Sequence, residues 1–369
     1  MKLALLGDVA LFGNLSLKNN DKAIDYFRDV EQYLSSVDLV VGNLESPFSE
    51  KQKTHGAKSA YLYSEPDNIR ILKYLHIDLV NLANNHIMDY GKEGCNLTKS
   101  LLYNNKIGFF GIDGKEIKIE ADNNKLAFSG FCCYSSGPLG CVKYGKLGVN
   151  EYDLKDAINV IERNYNEGYL NIVSVHAGIE HVNYPSVDTI KAARILAERA
   201  PIVYYGHHPH VAQGIEKQNG SIIAYSLGNF CFDDVYSSVS TKPLIELSEN
   251  NRSTFILEIN IDHNKIISYN IIPIYIGKDK MIVGKGVDAE SIFQYTNVIK
   301  ELNEKDYTIY RNSLIQSYLQ NRVSQRDVMW YIKRLRPRYL KMILNSKIRK
   351  IKYNNKIKKY LEEYESNCI

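Results

Sequence analysis

The chain has 369 residues, of which 44% are hydrophobic and 24% are charged, with a formal net charge of +4 and six cysteines. This composition excludes wholesale disorder and allows one large α/β domain with an appendage. The cysteines lack CxxC spacing, which argues against a disulfide framework or a zinc knuckle and favours a reducing compartment.

The first two predicted strands end in side chains that suit a cation site. An apolar run over residues 3–6 stops before Asp8, and a second over residues 38–42 is followed by Asn43 and Glu45. Because neighbours on a strand point to opposite faces, Asn43 and Glu45 project the same way. An amide oxygen and a carboxylate on one face suit half of a site for a hard or borderline cation.

Helical periods alternate with these strands. Helices are predicted over residues 21–35, 64–74 and 92–104. A third strand, over residues 77–83, leads into a polar loop that holds Asn85 and His86. The pattern of strand, ligand-rich loop and helix thus recurs three times.

The central part of the chain continues this alternation. Strands are predicted over residues 106–110, 126–134 and 172–175, and helices over residues 153–164 and 186–199. The strand that ends at residue 175 delivers His176, with Glu180 and His181 close behind it. We therefore expect His176 at the same edge as the earlier polar residues.

Three histidines, His207, His208 and His210, fall within four residues after the apolar run at 202–205. Imidazole is the commonest protein ligand for borderline metals, so a His-x-His pair leaving a buried strand suits one metal ion. A polar turn with chance histidines is the alternative. It is disfavoured because other apolar runs also end in histidines, so four strand ends could meet at one site.

Residues 211–276 are mostly β in pattern, with a hairpin predicted across residues 262–265. Because this part follows an α/β part, the sequence predicts a second sheet packed on the first.

The last part of the chain is helical and basic. The segment from Lys333 to Lys359 holds twelve Lys or Arg and no Asp or Glu, with apolar residues interleaved. A charge run of one sign favours an anionic partner. With Trp330, Tyr331 and Tyr339 at its leading edge, the segment fits a helix lying in a membrane interface. The alternatives are a basic helical cap packed on the domain, and RNA binding, for which no nucleic-acid module is recognised.

Six short motifs occur in order along the chain. They are Gly7-Asp8-Val9, Asn43-Leu44-Glu45, Asn84-Asn85-His86 with Asp89-Tyr90-Gly91, Val175-His176-Ala177-Gly178, Gly206-His207-His208-Pro209-His210 and Ser226-Leu227-Gly228-Asn229. Together they resemble the CapA family of bacterial capsule and poly-γ-glutamate synthesis proteins, whose domain resembles calcineurin-like metallophosphoesterases. The resemblance covers residues 1–276 and implies an α/β fold, a four-layer α-β-β-α sandwich. Residues 288–369 would then form a basic helical appendage.

The resemblance also implies residue roles. The metal ligands would be Asp8, Glu45, Asn85, His176, His208 and His210. Asp8 and His86 would serve catalysis, His86 beside the leaving group. The candidates for substrate contacts are Asn43, Glu180, His207 and Asn229. Such mixed ligands suit a divalent transition metal, Mn, Zn or Fe, as one or two ions.

Two positions depart from the phosphoesterase pattern. Ala10 stands where the first motif has a histidine, and Asn43 or Glu45 stands in for a bridging aspartate. Phosphoryl transfer commonly uses two cations that activate water and neutralise phosphoryl charge. Without the histidine one cation would be held weakly or not at all, so a single-metal hydrolase or an anionic-polymer binding site is also compatible with the sequence.

Two functions follow from this comparison. The first is metal-dependent hydrolysis or transfer at a phosphoester or amide bond of an envelope-polymer precursor, with His86 as general acid. The second is a non-catalytic accessory subunit that holds an anionic polymer or its lipid carrier. The first eight residues are too short for a signal-peptide core, and no stretch approaches the ~18 apolar residues of a spanning helix. These two observations predict a cytoplasmic protein, and the basic segment predicts that it is peripheral on the inner face of the cell membrane.

Overall fold

The computed structural model describes residues 1–19, 22–51, 60–133, 136, 141–236, 243–324 and 337–367. Its strands are β1 (Lys2–Val9), β2 (Leu39–Leu44), β3 (Leu79–Asn81), β4 (Gly108–Phe110), β5 (Ile117–Ala121), β6 (Asn124–Cys132), β7 (Cys141–Val142), β8 (Val149–Asn150), β9 (Leu170–His176), β10 (Ile202–His207), β11 (Ile215–Gln218), β12 (Ser221–Ala224), β13 (Asn229–Cys231), β14 (Val235–Tyr236), β15 (Pro243–Ile245), β16 (Ser253–Asp262), β17 (Lys265–Ile276) and β18 (Met281–Val283).

The helices of the described residues are α1 (Arg28–Leu34), α2 (Ile69–Tyr74), α3 (Gly91–Asn104), α4 (Leu154–Asn166), α5 (Val187–Arg199), α6 (Glu249–Arg252), α7 (Ala289–Glu301), α8 (Glu304–Ser324) and α9 (Pro337–Asn367). Local chemistry sets their ends. Asp153 caps α4 by accepting from two backbone amides, and Ser186 caps α5 by accepting from the amide of Thr189. Ala200 is extended because Pro201 follows it, and α5 ends there.

The first large sheet has the strand order β18-β17-β16-β1-β2-β3-β4, and β13 also pairs with β1. The strands β1 to β4 are mutually parallel, whereas β16, β17 and β18 are antiparallel to their neighbours. The second sheet has the order β11-β12-β10-β9-β6-β5, with a parallel centre and antiparallel edges.

The predicted origin of the second sheet is wrong. The hairpin of β16 and β17 is confirmed, but it joins the first sheet, where β16 pairs with β1 from Lys2 to Leu5. The second sheet instead begins at β5, a strand that the sequence pattern missed. Its residues are half-buried or exposed, so β5 lacks the continuous apolar run that marks the central strands.

The side chains of the two sheets alternate between two apolar layers. Leu3 and Leu5 of β1 lie between the sheets with Phe128 of β6 and Val203 of β10. Ala4 and Leu6 point to the opposite face, where α1, α2 and α3 cover the first sheet. The helices α4 and α5 cover the outer face of the second sheet. The predicted α-β-β-α sandwich is therefore confirmed.

Several predicted boundaries shift. The helix expected from residue 21 begins at Arg28, after a 3-10 turn over Asp25–Phe27, and residue 21 itself lies outside the described residues. The predicted helices at 92–104, 153–164 and 186–199 are confirmed as α3, α4 and α5. Trp330 and Tyr331, predicted to lead the basic tail, lie outside the described residues.

The sequence predicts a domain boundary between residues 276 and 288, and the elements in and after this interval, β18 and α7, contact the preceding domain. The short strand β18 adds to the first sheet, and Thr296 of α7 accepts from the amide of Ile215 at 2.9 Å. Of the helices in the described ranges, none has both the length and the apolarity that crossing a membrane requires.

Candidate metal centre

Two pairs of neighbouring strands end at the same place. Asp8 of β1 is paired with Asn43 of β2, and His176 of β9 is paired with His207 of β10. The two pairs belong to different sheets, yet Asn43 Nδ2 lies 3.4 Å from His176 Nδ1. The carboxyl ends of parallel strands in both sheets therefore converge on one site.

The loop after β10 holds two histidines in a strained backbone conformation. The φ angles of His208 and His210 are 94° and 58°. Residues other than glycine rarely adopt positive φ angles, and this backbone conformation costs on the order of 1–3 kcal/mol for each residue. Asn251 Nδ2 donates to the His210 carbonyl at 2.9 Å, and the His208 amide donates to Asp8 Oδ2 at 3.3 Å. Strain that surrounding bonds hold in place is typical of functional sites.

Glu45, His208 and His210 form the group of possible ligands. Within the ranges that the structure describes, one donor atom from each lies within 4.8 Å of the other two. All three residues are buried, and His210 Nε2 is 3.6 Å from Glu45 Oε1. His208 Nδ1 is buried and makes no hydrogen bond to the described residues. Since a buried polar atom normally has a partner, this donor set fits a divalent transition metal.

Burial sets the protonation of the histidines. It lowers the pKa of His208 to about 3 and holds the pKa of His176 well below its usual range, because removal from water disfavours the imidazolium. Both rings are therefore neutral, the form that binds metals. Burial alone would also lower the pKa of His210, but the carboxylates of Glu45 and Asp8 raise it to about 10. These two carboxylates favour positive charge at this position.

The carboxylate of Asp8 contacts the Nδ1 atoms of His207 and His210. Its Oδ1 accepts from Asn43 Nδ2 at 2.8 Å and lies 3.2 Å from His207 Nδ1, and its Oδ2 lies 3.2 Å from His210 Nδ1. Burial alone would raise the pKa of Asp8, but His207 and His210 hold it well below its usual range. Asp8 thus contacts the ring nitrogen of His210 opposite to the one that faces Glu45, as carboxylates that orient ligand histidines do. Its direct coordination and its catalytic role stay predictions.

Asn85 and His176 lie beside the donor group. His176 Nε2 is 3.0 Å from Asn85 Oδ1 and 4.0 Å from Glu45 Oε1. The rings of His176 and His208 have centroids 4.9 Å apart. The structure thus brings both residues to the site, and their ligand roles stay predictions.

His86 is oriented by a carboxylate that the sequence analysis did not assign. Its Nδ1 lies 2.6 Å from Asp89 Oδ2, and the same oxygen accepts from the Leu62 amide at 2.9 Å. Asp89 is fully buried, whereas His86 keeps a small exposed surface. The carboxylate of Asp89 thus faces Nδ1, and Nε2 lies on the opposite side of the ring. An electrostatic interaction with His86 lowers the pKa of His208, so the His86 ring lies near the donor group.

Three of the four predicted substrate contacts are enclosed. Asn43, His207 and Asn229 have no exposed surface. Asn229 Oδ1 lies 2.9 Å from His210 Nδ1, so it supports the ligand loop from behind. Glu180 is half-buried, and its negative charge raises the pKa of His208. Of these four residues, Glu180 is the one with exposed surface, and its contact with a substrate stays a prediction.

Two further residues support the site without having been predicted. Asn251 Nδ2 contacts His181 Nδ1 at 2.9 Å as well as the His210 carbonyl. Tyr318 of α8 stacks on His181, with ring centroids 4.8 Å apart, and its hydroxyl lies 3.4 Å from Glu180 Oε2. Tyr318 is 138 positions from Glu180 in the chain and follows no motif, so the sequence carried no signal for it.

The two departures from the phosphoesterase pattern do not supply a second donor group. Ala10 is fully buried and has no donor atom in its side chain. Asn43 Nδ2 donates to Asp8, and its Oδ1 accepts from Asn81 Nδ2 at 3.1 Å. The amide of Asn43 is thus used at both ends by protein partners.

The chain is similar in sequence to two curated proteins. The "PGA biosynthesis protein CapA" of Bacillus subtilis (strain 168) is 28% identical over 266 residues, 69% of this chain and 70% of that protein. The "Capsule biosynthesis protein CapA" of Bacillus anthracis is 28% identical over 272 residues, 70% of this chain and 66% of that protein. The NAD nucleotidase of Haemophilus influenzae, a solved structure, is 14% identical with a TM-score of 0.38, covering 88% of this chain and 60% of its own. At this TM-score the similarity between the two structures is weak.

The chain also matches the profile of a whole family. Residues 2–234, more than half of the chain, match the profile described as "Bacterial capsule synthesis protein PGA_cap". That range includes β1, β2, β9 and β10 with every member of the donor group, and it excludes Tyr318. The chain therefore belongs to the bacterial capsule synthesis protein family PGA_cap.

Proposed function

We propose that this protein is a metal-dependent hydrolase or transferase that acts on a phosphoester or amide bond of an envelope-polymer precursor. The observation that carries the proposal is the buried group of Glu45, His208 and His210, with donor atoms within 4.8 Å, near the His86–Asp89 pair. Family membership supports the link to capsule synthesis. A divalent cation at such a site polarises the scissile bond and lowers the pKa of water.

The residues of the chain divide the remaining work. Glu45, His208 and His210 would hold the cation, with Asn85 and His176 beside them. Asp8 orients His210, since it faces the ring nitrogen at 3.2 Å. His86 would donate a proton to the leaving group from Nε2, because Asp89 faces Nδ1. Glu180 would contact the substrate at the margin of the site.

A single-cation site is the arrangement that the donors favour. Ala10 offers no ligand, and Asn43 contacts Asp8 and Asn81 through its amide. One cation can still polarise a bond and activate water, so catalysis does not require a second. We therefore expect one bound ion per chain, of Mn, Zn or Fe.

The first experiment measures metal content. Purified protein is stripped with chelator, reloaded separately with Mn(II), Zn(II) and Fe(II), and analysed for bound metal after dialysis. We expect about one ion per chain in the wild type and a large loss in His208→Ala, because that variant removes one of three donors. His263→Ala, an exposed histidine in the β16–β17 turn, is the matched control. A wild type without metal, or equal metal in His208→Ala, would overturn the proposal.

The second experiment tests turnover. The reloaded protein is incubated with a phosphomonoester, a phosphodiester and a γ-glutamyl amide, and product release is measured. We expect one bond class to be cleaved, and His86→Ala to lower the rate by about 10²-fold while metal content is retained. Loss of metal in His86→Ala would show that its role is misassigned.

The second candidate function is binding without catalysis, and the loss of the first-motif histidine at Ala10 favours it. An accessory subunit of this kind would hold an anionic polymer or its lipid carrier for other enzymes. It predicts metal-dependent binding of anionic polymer with no cleavage of any of the three bond classes. That result would replace the hydrolase proposal.

A further inference from the structure

The helix α9 is fixed to the domain through one face of its C-terminal half. Tyr353 and Leu361 are buried, and the Tyr353 hydroxyl donates to the Tyr152 carbonyl at 2.6 Å. The Tyr364 hydroxyl donates to Glu198 of α5 at 2.7 Å. The alternative of a basic helical cap packed on the domain therefore describes this half of the helix.

The N-terminal half of α9 presents a different surface. It carries an aliphatic stripe of four side chains between 43% and 60% exposed: Leu340, Leu344, Ile348 and Ile351. Their spacing of four, four and three residues puts them on one face of the helix. At 3.6 residues per turn, this face lies about 135° around the axis from the face that holds Tyr353 and Leu361. The stripe thus points away from the domain on which the helix is packed.

Lysines border the stripe on both sides. At 3.6 residues per turn, Lys347 and Lys350 follow one edge and Lys341 and Lys352 the other, and all four are exposed. No Asp or Glu occurs from residue 337 to residue 361. We call these four residues the flanking lysines.

The two features together select one kind of partner. A nucleic acid would neutralise the flanking lysines, but base stacking needs aromatic side chains and the stripe has none. An anionic polymer would likewise leave the aliphatic side chains in water. An anionic lipid surface satisfies both features, because aliphatic side chains enter the acyl boundary while lysines reach the headgroups.

We propose that α9 docks this protein on an anionic membrane surface through the aliphatic stripe and the flanking lysines. The C-terminal half of the helix transmits the attachment, since its buried tyrosine and leucine bind it to the domain. Basic side chains near an anionic leaflet act over roughly a Debye length, about 10 Å at 0.1 M salt, so the docking is reversible and salt-dependent. It holds the protein at the membrane surface, where lipid-linked precursors would be accessible.

Vesicle flotation with the full chain tests this proposal. The probes are vesicles of phosphatidylcholine alone and of phosphatidylcholine mixed with phosphatidylglycerol. The wild type should float with the anionic vesicles at low salt, stay in solution with neutral vesicles, and be released at high salt. Leu344→Ser with Ile351→Ser should lower partitioning by about tenfold, because binding scales with the apolar area that enters the interface.

Two further variants separate docking from folding. Lys347→Gln with Lys350→Gln should lower binding to anionic vesicles and flatten its salt dependence. Ile309→Ser with Leu319→Ser, exposed aliphatic residues of α8, is the matched control and should float as the wild type does. Thermal unfolding midpoint and metal content should be the same in every variant, so failure here is distinguishable from failure of the metal site.

The overturning results are specific. Wild-type flotation by the stripe variant, or equal binding to neutral and anionic vesicles, would refute the proposal. So would an absence of flotation together with tight binding of an RNA oligonucleotide that the stripe variant retains, since a nucleic acid would then be the partner.

Discussion

Removing one side chain from a partly buried ion pair between α5 and the second sheet should destabilise the fold in a pH-dependent way. Glu216 of β11 is 4% exposed and accepts from Arg194 Nη2 at 2.7 Å, from Arg194 Nε at 3.0 Å and from the Tyr225 hydroxyl at 2.5 Å. The Arg194 contact is bidentate, the strong form of such pairs. Arg194→Met keeps an unbranched side chain of similar length but leaves the Glu216 carboxylate with one donor.

The magnitude follows from burial. Breaking a fully buried pair costs about 3–5 kcal/mol, and an exposed pair contributes about 0–1 kcal/mol. Because the Arg194 side chain is 36% exposed, water screens part of the interaction, and we expect a loss of about 2–3 kcal/mol in the free energy of unfolding at pH 7.

The pH dependence has a definite sign. Burial alone would raise the pKa of Glu216, but the bonds from Arg194 and Tyr225 lower it. A lowered pKa in the folded state contributes stability that is present above the unfolded-state pKa and lost as the pH falls through the folded-state pKa. Without Arg194, burial dominates and the pKa of Glu216 should rise. The deficit of the variant should therefore be largest near pH 7 and shrink toward about pH 4, as Glu216 becomes protonated.

Urea unfolding from pH 4 to pH 7 measures this difference. Arg70→Met is the matched control, since Arg70 and Asp67 form an exposed pair at 3.7 Å and should lose less than about 1 kcal/mol. Adding Glu216→Gln to Arg194→Met should recover part of the loss, because the buried charge is removed. A deficit that is equal at both pH values, or no larger than that of the control, would refute the reasoning.

Three other substitutions test the site and its supports. Asp89→Asn should lower kcat by about 10²-fold or more with unchanged metal content, because it no longer fixes the ring of His86, and single-turnover kinetics with the substrate found in the panel would measure it. Tyr318→Phe should raise KM about fivefold with little change in kcat, since it removes one hydroxyl contact to Glu180, and steady-state kinetics would show the split. Gly206→Ala should lower the thermal unfolding midpoint strongly, because its Cβ would lie 1.9 Å from the Tyr225 carbonyl oxygen; an unchanged midpoint would contradict the close packing of β10 on that segment.

Much of the site could be predicted because its residues end strands. An apolar run followed by Asp8, Asn43, His176 or His207 identifies a buried parallel strand with a polar C-terminal end. The topology of such sheets then places those ends at one edge. Local pattern and fold rules are sufficient for this step, since each depends on neighbours in the chain.

The division of roles inside the site could not be read from the motifs. Asp8, His207 and His210 are all acceptable ligands by residue type, but packing decides that Asp8 faces the Nδ1 atoms of both histidines while Glu45 faces Nε2 of His210. Burial also decides which histidine is neutral, lowering the pKa of His208 to about 3. These properties depend on distances across both sheets, which residue order does not encode locally.

The sequence by itself determined the α/β class, the strand-end position of the candidate ligands and the single-sign charge of the tail, because these follow from period, residue type and composition. The tertiary structure alone decided that β16 and β17 join the first sheet, that Tyr318 reaches Glu180, and which face of α9 is covered. Each of these depends on contacts between residues far apart in the chain. Such contacts form because complementary surfaces become buried against each other. The sequence pattern shows which face of an element is apolar, but it does not show which other element covers that face.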